Sequence, residues 1–321
     1  MEHKPFTAIR FIFSAGTTCL KSVLLQSEAN EPRYLSIAIP ASIASDTPHL
    51  REKTAKLGAV ARASSIFGVS EILLYLDDPH HDQQTDVEFC SGILQYLETP
   101  QYLRKRIFKL NPTFKFTGIL PPLQVPHHKV PPTLAGVRIG DIREGLVFAR
   151  SGKGGLVDAG LEKTVSVAET RAVGERVTIR LVSVGKELRG EVVERSRVRA
   201  YGPDKRPIYW GYRVRKVTTL SKLLTDTPWD LKVGTSRYGT SAQEILTPVS
   251  KDLRNAKSTV VAFGSPKMGL REILALENLV PKDVFNYFVN TAPDQQTLTV
   301  RTEEAILISL SFLNLAQKLL Q

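Results

Sequence analysis

The stretch Leu35-Ser36-Ile37-Ala38-Ile39-Pro40, followed by helical spacing from Leu50 to Phe67 and then by Glu71-Ile72-Leu73-Leu74-Tyr75-Leu76, reads as strand, helix, strand. Both strands are short continuous apolar runs, the pattern of strands covered on two faces. Joined through a helix they form a βαβ unit and imply a parallel sheet. Downstream, Asp77 to Asp86 reads as a polar loop and Glu88 to Lys105 as a helix. The same apolar signature returns near the end of the chain. Ser258-Thr259-Val260-Val261-Ala262-Phe263 is a buried strand that stops at Gly264, and Phe285-Asn286-Tyr287-Phe288-Val289 is another. The last helix begins near Thr302, whose hydroxyl, with Glu303 and Glu304, suits a helix N-terminus.

Between these two α/β segments the character changes. Pro121 to Pro132 is proline-rich and cannot continue a helix or a central strand, so it reads as a linker. From Ala135 to Arg215 short alternating segments are punctuated by glycine, as in Gly145-Leu146-Val147-Phe148-Ala149 and Arg176-Val177-Thr178-Ile179-Arg180. About five strands at this spacing suggest a small β-barrel of the OB type. The domain expectation is therefore a discontinuous α/β domain over residues 1–125 and 223–321, interrupted by a barrel domain over residues 126–222.

The charge follows the same borders. The chain of 321 residues carries a net charge of +11, and His127 to Lys222 holds 20 basic and 10 acidic residues, leaving the rest near neutral. A surplus concentrated in one segment suits phosphate contacts with a nucleic acid, or else a solvated basic surface. Tyr209, Trp210 and Tyr212 alternate with Arg206, Arg213 and Arg215. These residues could stack and hold single-stranded RNA, or the rings could instead close the barrel core.

Several classes are excluded at this level. Hydrophobic residues make up 42% and charged residues 23%, too apolar a chain for general disorder. Cys19 and Cys90 are far apart and form neither a disulfide framework nor a zinc motif, so an intracellular, cytoplasmic setting is expected. A eukaryotic chain could equally be nuclear. Phe6 to Leu25 is fairly apolar but interrupted by Arg10 and Lys21, which argues against a targeting signal, and no apolar run is long enough to span a membrane. The adjacent pairs His80-His81 and His127-His128 lack partners at ligand spacing, so no metal is expected. The sequence contains no G-x-G-x-x-G, Walker, G-x-S-x-G or H-E-x-x-H signature. The final helix has one apolar stripe through Ala305, Ile308, Phe312, Leu315 and Leu319 and another through Ile306, Leu310 and Leu313. One stripe can pack on the sheet; the second needs either more of the same subunit or a partner, most simply in a homodimer.

Gly58-Ala59-Val60-Ala61-Arg62-Ala63-Ser64-Ser65-Ile66-Phe67-Gly68-Val69 is similar to the first motif of SpoU-like members of the SPOUT class of RNA methyltransferases. Asn290-Thr291-Ala292-Pro293 through Thr299-Val300-Arg301-Thr302-Glu303-Glu304-Ala305 resembles their carboxy-terminal knot motif. More closely, Leu97 to Arg104, Pro126-His127-His128, Tyr209-Trp210-Gly211-Tyr212 and Val233-Gly234-Thr235-Ser236 resemble the SPOUT methyltransferase family shared by archaea and eukaryotes. The resemblance runs from about Leu35 to Leu320.

It implies a trefoil-knotted α/β methyltransferase domain with an inserted OB-like domain, a homodimer, and S-adenosylmethionine as methyl donor. The implied cofactor loops are Ala262 to Leu270, Phe288 to Pro293 and Leu298 to Ala305. Within them Phe263, Gly264, Gly269, Leu270, Asn290, Thr291, Leu298, Thr302 and Ala305 are the expected cofactor contacts. Arg62, which matches the arginine of the first motif, is the leading catalytic or phosphate-binding candidate, because a guanidinium holds phosphate in bidentate geometry. Arg237 and Glu304 are further catalytic candidates. A sulfonium-bound methyl is already activated, so such an enzyme mainly orients its substrates and need not carry a recognisable dyad. Leu57 replaces the usual asparagine of the first motif, and the glycine-rich loop lacks the common Glu-Gly ending. These departures leave a base nitrogen, such as uridine N3 of ribosomal RNA, and the ribose 2′-hydroxyl both open as acceptors. The competing expectation is a non-catalytic RNA-binding or ribosome-assembly protein that keeps the knot as a dimer scaffold.

Overall fold

The computed structural model describes residues 33–128, 133–152, 154–198 and 208–319. Besides short 3-10 turns, the chain runs through β1 (Tyr34–Pro40), α1 (Leu50–Ile66), β2 (Glu71–Leu76), α2 (Gln84–Glu98) and α3 (Gln101–Ile107). Next come β3 (Ile142–Ser151), β4 (Gly154–Asp158), β5 (Val165–Val167), β6 (Arg176–Ser183), β7 (Leu188–Val192) and the single turn α4 (Arg195–Val198). It then continues through β8 (Arg213–Thr219), α5 (Leu220–Asp226), β9 (Leu231–Ser241), α6 (Ala242–Asn255) and β10 (Ser258–Ala262). The last elements are α7 (Leu270–Ala275), α8 (Pro281–Val284), β11 (Tyr287–Asn290) and α9 (Thr302–Lys318).

Six strands form one sheet in the order β11-β9-β10-β1-β2-β8, and every neighbouring pair is parallel. Alternation along the strands assigns their side chains to two cores. Ile37, Ile39, Ile72, Leu74 and Val261 face a layer made of α1, α2, α6 and α9. Ala38, Leu73, Tyr75, Val260 and Ala262 face α5, α7 and α8. With both faces covered, these short strands read as near-continuous apolar runs, interrupted only by small hydroxyl residues such as the buried Ser36 and Thr259, which is why they stand out in the sequence.

Two expectations change. The helix expected from Glu88 to Lys105 is two helices: Thr99 is extended because it precedes Pro100, and a residue before proline is pushed out of the helical region. Arg213 to Thr219, grouped by charge with the barrel segment, is strand β8 paired with β2 at the edge of the parallel sheet. Its basic side chains are exposed there, and a charged edge strand resists unwanted pairing.

The intervening segment closes into a five-stranded barrel, β3-β4-β5-β7-β6, in which only β5 and β7 are parallel. Its core is a set of valines and leucines with Ala159 and Ile179. Motifs separated in sequence meet where this barrel joins the sheet. Glu98, at the end of α2, accepts from Arg176 Nη1 at 2.6 Å and from Arg195, and lies 3.0 Å from His127 Nε2. Glu144 on β3 accepts from Arg176 Nε at 2.7 Å, Thr178 at 2.6 Å and Trp210 Nε1 at 2.7 Å. Burial alone would raise the pKa of both carboxyls, yet the guanidiniums of Arg195 and Arg176 outweigh it and hold both below the usual carboxylate range. Gly211 sits among these groups with φ +77°, and a Cβ there would lie 2.5 Å from Glu98 Oε1 and 2.6 Å from the His127 ring. Only glycine satisfies both the dihedral and the space.

Of the aromatic trio, Trp210 and Tyr212 are buried, Trp210 at this junction and Tyr212 in the main core, where its hydroxyl donates to the Leu94 carbonyl at 2.9 Å. The expected linker also packs, with Leu123, Val125 and His127 buried. In α9, Ile306, Leu310, Leu313 and Ala316 are buried while Leu307, Leu315 and the C-cap Leu319 stay about half exposed. No helix among the described residues is long and apolar enough to cross a membrane.

Candidate functional site

The ends of β1, β9, β10 and β11 surround a cavity of about 390 Å³. From the sheet centre, β1 leads on to β2 while β10 leads to β11 on the opposite side. Such a reversal leaves a crevice beyond the carboxyl ends of the strands, where ligands of open α/β sheets bind.

One wall is the turn from Gly264 to Gly269. The Ser265 N–H donates to the Met268 carbonyl at 2.8 Å and the Met268 N–H to Ser265 Oγ at 3.0 Å. A Cβ on Gly264 would lie 3.0 Å from both the Gly269 Cα and the Met268 oxygen, so the ends of the turn can approach this closely only because residue 264 is glycine. Thr302 Oγ1, at the start of α9, donates to the Gly264 carbonyl at 3.2 Å and ties this turn to the last helix.

A second wall comes from β9. Its ladder with β11 runs through Val233 and Gly234 and resumes at Thr240 and Ser241, while β11 advances only from Phe288 to Val289. Thr235 to Gly239 therefore leave the ladder and turn toward the cavity. Thr235 Oγ1 donates to the Ala262 carbonyl at 2.9 Å, and Asn290 Nδ2 donates to the Arg237 carbonyl at 3.0 Å. Arg237 Nη1 in turn donates to the Leu298 carbonyl at 3.0 Å. The three loops are thus cross-linked by side chain to main chain bonds.

Behind them Lys56, almost fully buried, bonds Asp46 at 2.7 Å and lies 3.4 Å from Glu303. Burial works to raise the Asp46 pKa, but the Lys56 hydrogen bond and charge lower it below the usual value. On the rim, Lys267 and Arg271 have no hydrogen-bond or ion-pair partner among the described residues, and the nearby Glu272 carboxylate is likewise unpaired. Apolar Phe263, Met268, Ala305 and Ile308 share the lining with polar Asn290, Thr291 and Thr302. A mixed lining of this size is what a nucleoside-sized ligand requires.

Of the residues singled out from sequence, Arg237, Phe263, Gly264, Gly269, Asn290, Thr291, Thr302 and Ala305 line this cavity together. Leu270 is fully buried beneath it in the second core. The Leu298 side chain points to solvent, 91% exposed, and contributes only its carbonyl. Glu304 accepts from the Arg301 N–H at 2.9 Å and serves as a helix cap. Arg62 lies elsewhere: its Nη1 donates to the carbonyls of Leu123 at 2.7 Å and Pro122 at 3.3 Å, pinning the proline-rich segment to α1.

The RNA candidates are scattered. Tyr209 is half-buried and donates to the Val69 carbonyl at 2.9 Å, and Arg215 pairs with Glu71 at 3.1 Å. Arg213 lines a groove of about 730 Å³ beside β6 and β7, but five glutamates there face five arginines, so its charge is largely balanced. Arg206 lies outside the described residues. The sequence reading missed Tyr238, Arg271 and Glu272, which lie outside the quoted motifs, and did not single out Lys267 within the Ala262 to Leu270 loop; all four gain significance only from the loops that carry them. Among the described residues no group of three or more His, Cys, Asp or Glu side chains could hold a metal ion.

A family profile described as "Putative RNA methyltransferase" matches residues 34–313. The chain is 34% identical over 318 residues to the 28S rRNA (uridine-N(3))-methyltransferase of Homo sapiens, covering 90% of this chain and 80% of that protein. It is 30% identical over 298 residues to an uncharacterized protein of Halobacterium salinarum, covering 88% and 99%. The SpoU methyltransferase AviRb from Streptomyces viridochromogenes, crystallised with AdoMet, aligns at a TM-score of 0.35 and 9% identity over 90% of this chain and 58% of that one.

Proposed function

The chain belongs to this RNA methyltransferase family, and on that premise we propose that it transfers a methyl group from S-adenosylmethionine to N3 of a uridine in large-subunit ribosomal RNA. The observation that carries the reading is the cavity at the strand ends, built from the three loops whose residues resemble the family's cofactor motifs. The relatives named for uridine N3 methylation support a base nitrogen over the ribose hydroxyl.

The residues present fit the cofactor. The turn from Gly264 to Gly269 carries no side chain at either end that would obstruct a ligand, and Phe263, Met268, Ala305 and Ile308 offer apolar surface for an adenine. Asn290, Thr291 and Thr302 would meet its polar groups. The cofactor supplies an electrophilic methyl on a sulfonium. The chain holds the uracil in line with that methyl and keeps water away from it, which is where most of the rate gain in such a transfer arises. Glu272, the lining carboxylate without a cation partner among the described residues, is the group available to take the N3 proton.

The exposed stripe of Leu307, Leu315 and Leu319 on α9 supports a homodimer. The position of β11 outside β9, with α9 returning against α1 and α6, supports the trefoil-knotted connection of the SPOUT class. The barrel serves as an inserted RNA-binding domain, and an RNA target sets the protein in the cytoplasm or the nucleus. Calorimetric titration with S-adenosylmethionine and S-adenosylhomocysteine tests the reading. Gly269 has φ −74°, which any residue adopts, and a Cβ there meets only the end of the Glu272 side chain, at 2.7 Å, so Gly269→Val crowds the cavity by displacing that carboxylate rather than the backbone. Binding by the wild type that disappears in this variant is the expected result. No binding by the wild type, with RNA affinity intact, would favour the non-catalytic scaffold.

A further inference from the structure

We infer that Tyr238 is the platform on which the target uracil stacks, with Lys267 and Arg271 receiving the flanking phosphates; the inference rests on the methyltransferase reading above. Tyr238 is a large ring left 62% exposed at the mouth of the cavity, on the excursion that removes Thr235 to Gly239 from the β9–β11 ladder. Irregularities of this kind re-aim side chains at sheet edges and next to active sites, and here one turns an aromatic ring to the cavity mouth.

The ring is also held in place. Its N–H donates to Ser236 Oγ at 3.2 Å, and the next residue, Gly239, is pressed so closely on β11 that a Cβ would lie 2.6 Å from the Val289 carbonyl carbon. The Arg237 guanidinium lies 4.7 Å from the ring centroid and is itself fixed on the Leu298 carbonyl, while the Arg237 carbonyl is fixed by Asn290. A cation occupies one face and the exposure of the ring leaves the other open. The hydroxyl makes no hydrogen bond with the described residues, so it is the ring and not the phenol that is presented.

Every base has a π-face, and enzymes that act on a base lift it from its stack onto such surfaces. N3 of uracil lies in the ring plane, so stacking on Tyr238 leaves its Watson–Crick edge free to point into the cavity. Lys267 and Arg271, without ion-pair partners among the described residues and on the same rim, supply the positive charge that an RNA backbone needs.

The test compares wild type, Tyr238→Phe and Tyr238→Ala in methyl transfer to transcribed large-subunit rRNA, with S-adenosylmethionine binding measured in parallel by calorimetry. Base–aromatic stacking sets the expected loss in kcat/KM for RNA in Tyr238→Ala at about 5- to 150-fold, with Tyr238→Phe near wild type and cofactor affinity unchanged. In a second measurement, rRNA carrying 4-thiouridine is photocrosslinked to the protein, and the peptide containing Tyr238 should carry the adduct. Full activity in Tyr238→Ala, or crosslinks confined to the barrel, overturns the inference. So does a change in oligomeric state on sedimentation of Tyr238→Ala, which would assign the ring to a subunit interface. A wild type that binds no cofactor removes the methyltransferase reading itself, and this inference falls with it.

Discussion

Replacing His128 with glutamine should remove a defined part of the pH dependence of folding. His128 is mostly buried; its Nε2–H donates to the Glu98 carbonyl at 2.8 Å and its ring packs edge-on against His127 at 4.4 Å between centroids. Burial, and then the neighbouring His127, push its pKa down to about 4 from an ordinary 6.5. The folded chain therefore resists protonation where the unfolded chain accepts it. The neutral ring contributes its stability in full above about pH 6.5 and loses it as the pH falls from there toward 4. Linkage over that interval, about 2.5 units, amounts to about 3 kcal/mol, of which about 2 kcal/mol is lost between pH 7.5 and pH 5. Glutamine keeps an amide donor for the Glu98 carbonyl but does not titrate. Urea unfolding followed by tryptophan fluorescence at about pH 7.5 and about pH 5, on wild type and His128→Gln, isolates the difference because all other groups titrate in both proteins. The wild type should lose about 2 kcal/mol more than the variant. Equal losses in the two proteins would refute the assignment of a buried neutral imidazole at the junction between barrel and sheet.

Gly211→Ala forces a side chain into a left-handed dihedral and into the Glu98 carboxylate, so a loss of about 3 to 5 kcal/mol is expected, read as a lowered urea midpoint. Glu98→Gln leaves Arg176 and Arg195 without their shared carboxylate inside the junction and should cost a similar amount, about 3 to 5 kcal/mol, whereas Arg215→Ala, at an exposed pair, should move stability by less than about 1 kcal/mol. Arg62→Ala removes the tether to Leu123, with an expected cost of about 1 to 3 kcal/mol and faster proteolysis near Pro121, while calorimetry should find S-adenosylmethionine affinity unchanged. An Arg62 role at the cavity would instead appear as a loss of that affinity.

Sheet strands β1, β2 and β10 were legible because each is covered on both faces, so both alternating sets of positions are mostly apolar and the run announces itself. The barrel was legible for the opposite reason: short alternating strands separated by glycine recur at even spacing. The turn from Gly264 to Gly269 also stood out by its two glycines at a strand end, of which Gly264 permits a close approach that a side chain would block. Strand β8 was hidden because an edge strand carries its charges outward, and Arg213, Arg215 and Lys216 read as part of a basic insert. Strand β9 was hidden because Gly234 and Gly239 break its pattern where the chain leaves the ladder.

The sequence by itself determined the layers and the barrel, because periodicity, apolar runs and glycine positions are local properties of the chain; the expected cofactor loops came from the family resemblance of their motifs. It could not determine which charges meet. Glu98, His127, Arg176, Arg195 and Trp210 converge across more than a hundred residues of chain, and only tertiary packing turns them into a buried junction. The same holds for Arg62, whose motif suggested chemistry and whose surroundings make it a tether. It holds as well for Tyr238, an unremarked tyrosine until the broken ladder brings it to the mouth of the cavity. A side chain's chemistry is set by what surrounds it, and those neighbours come from distant parts of the chain.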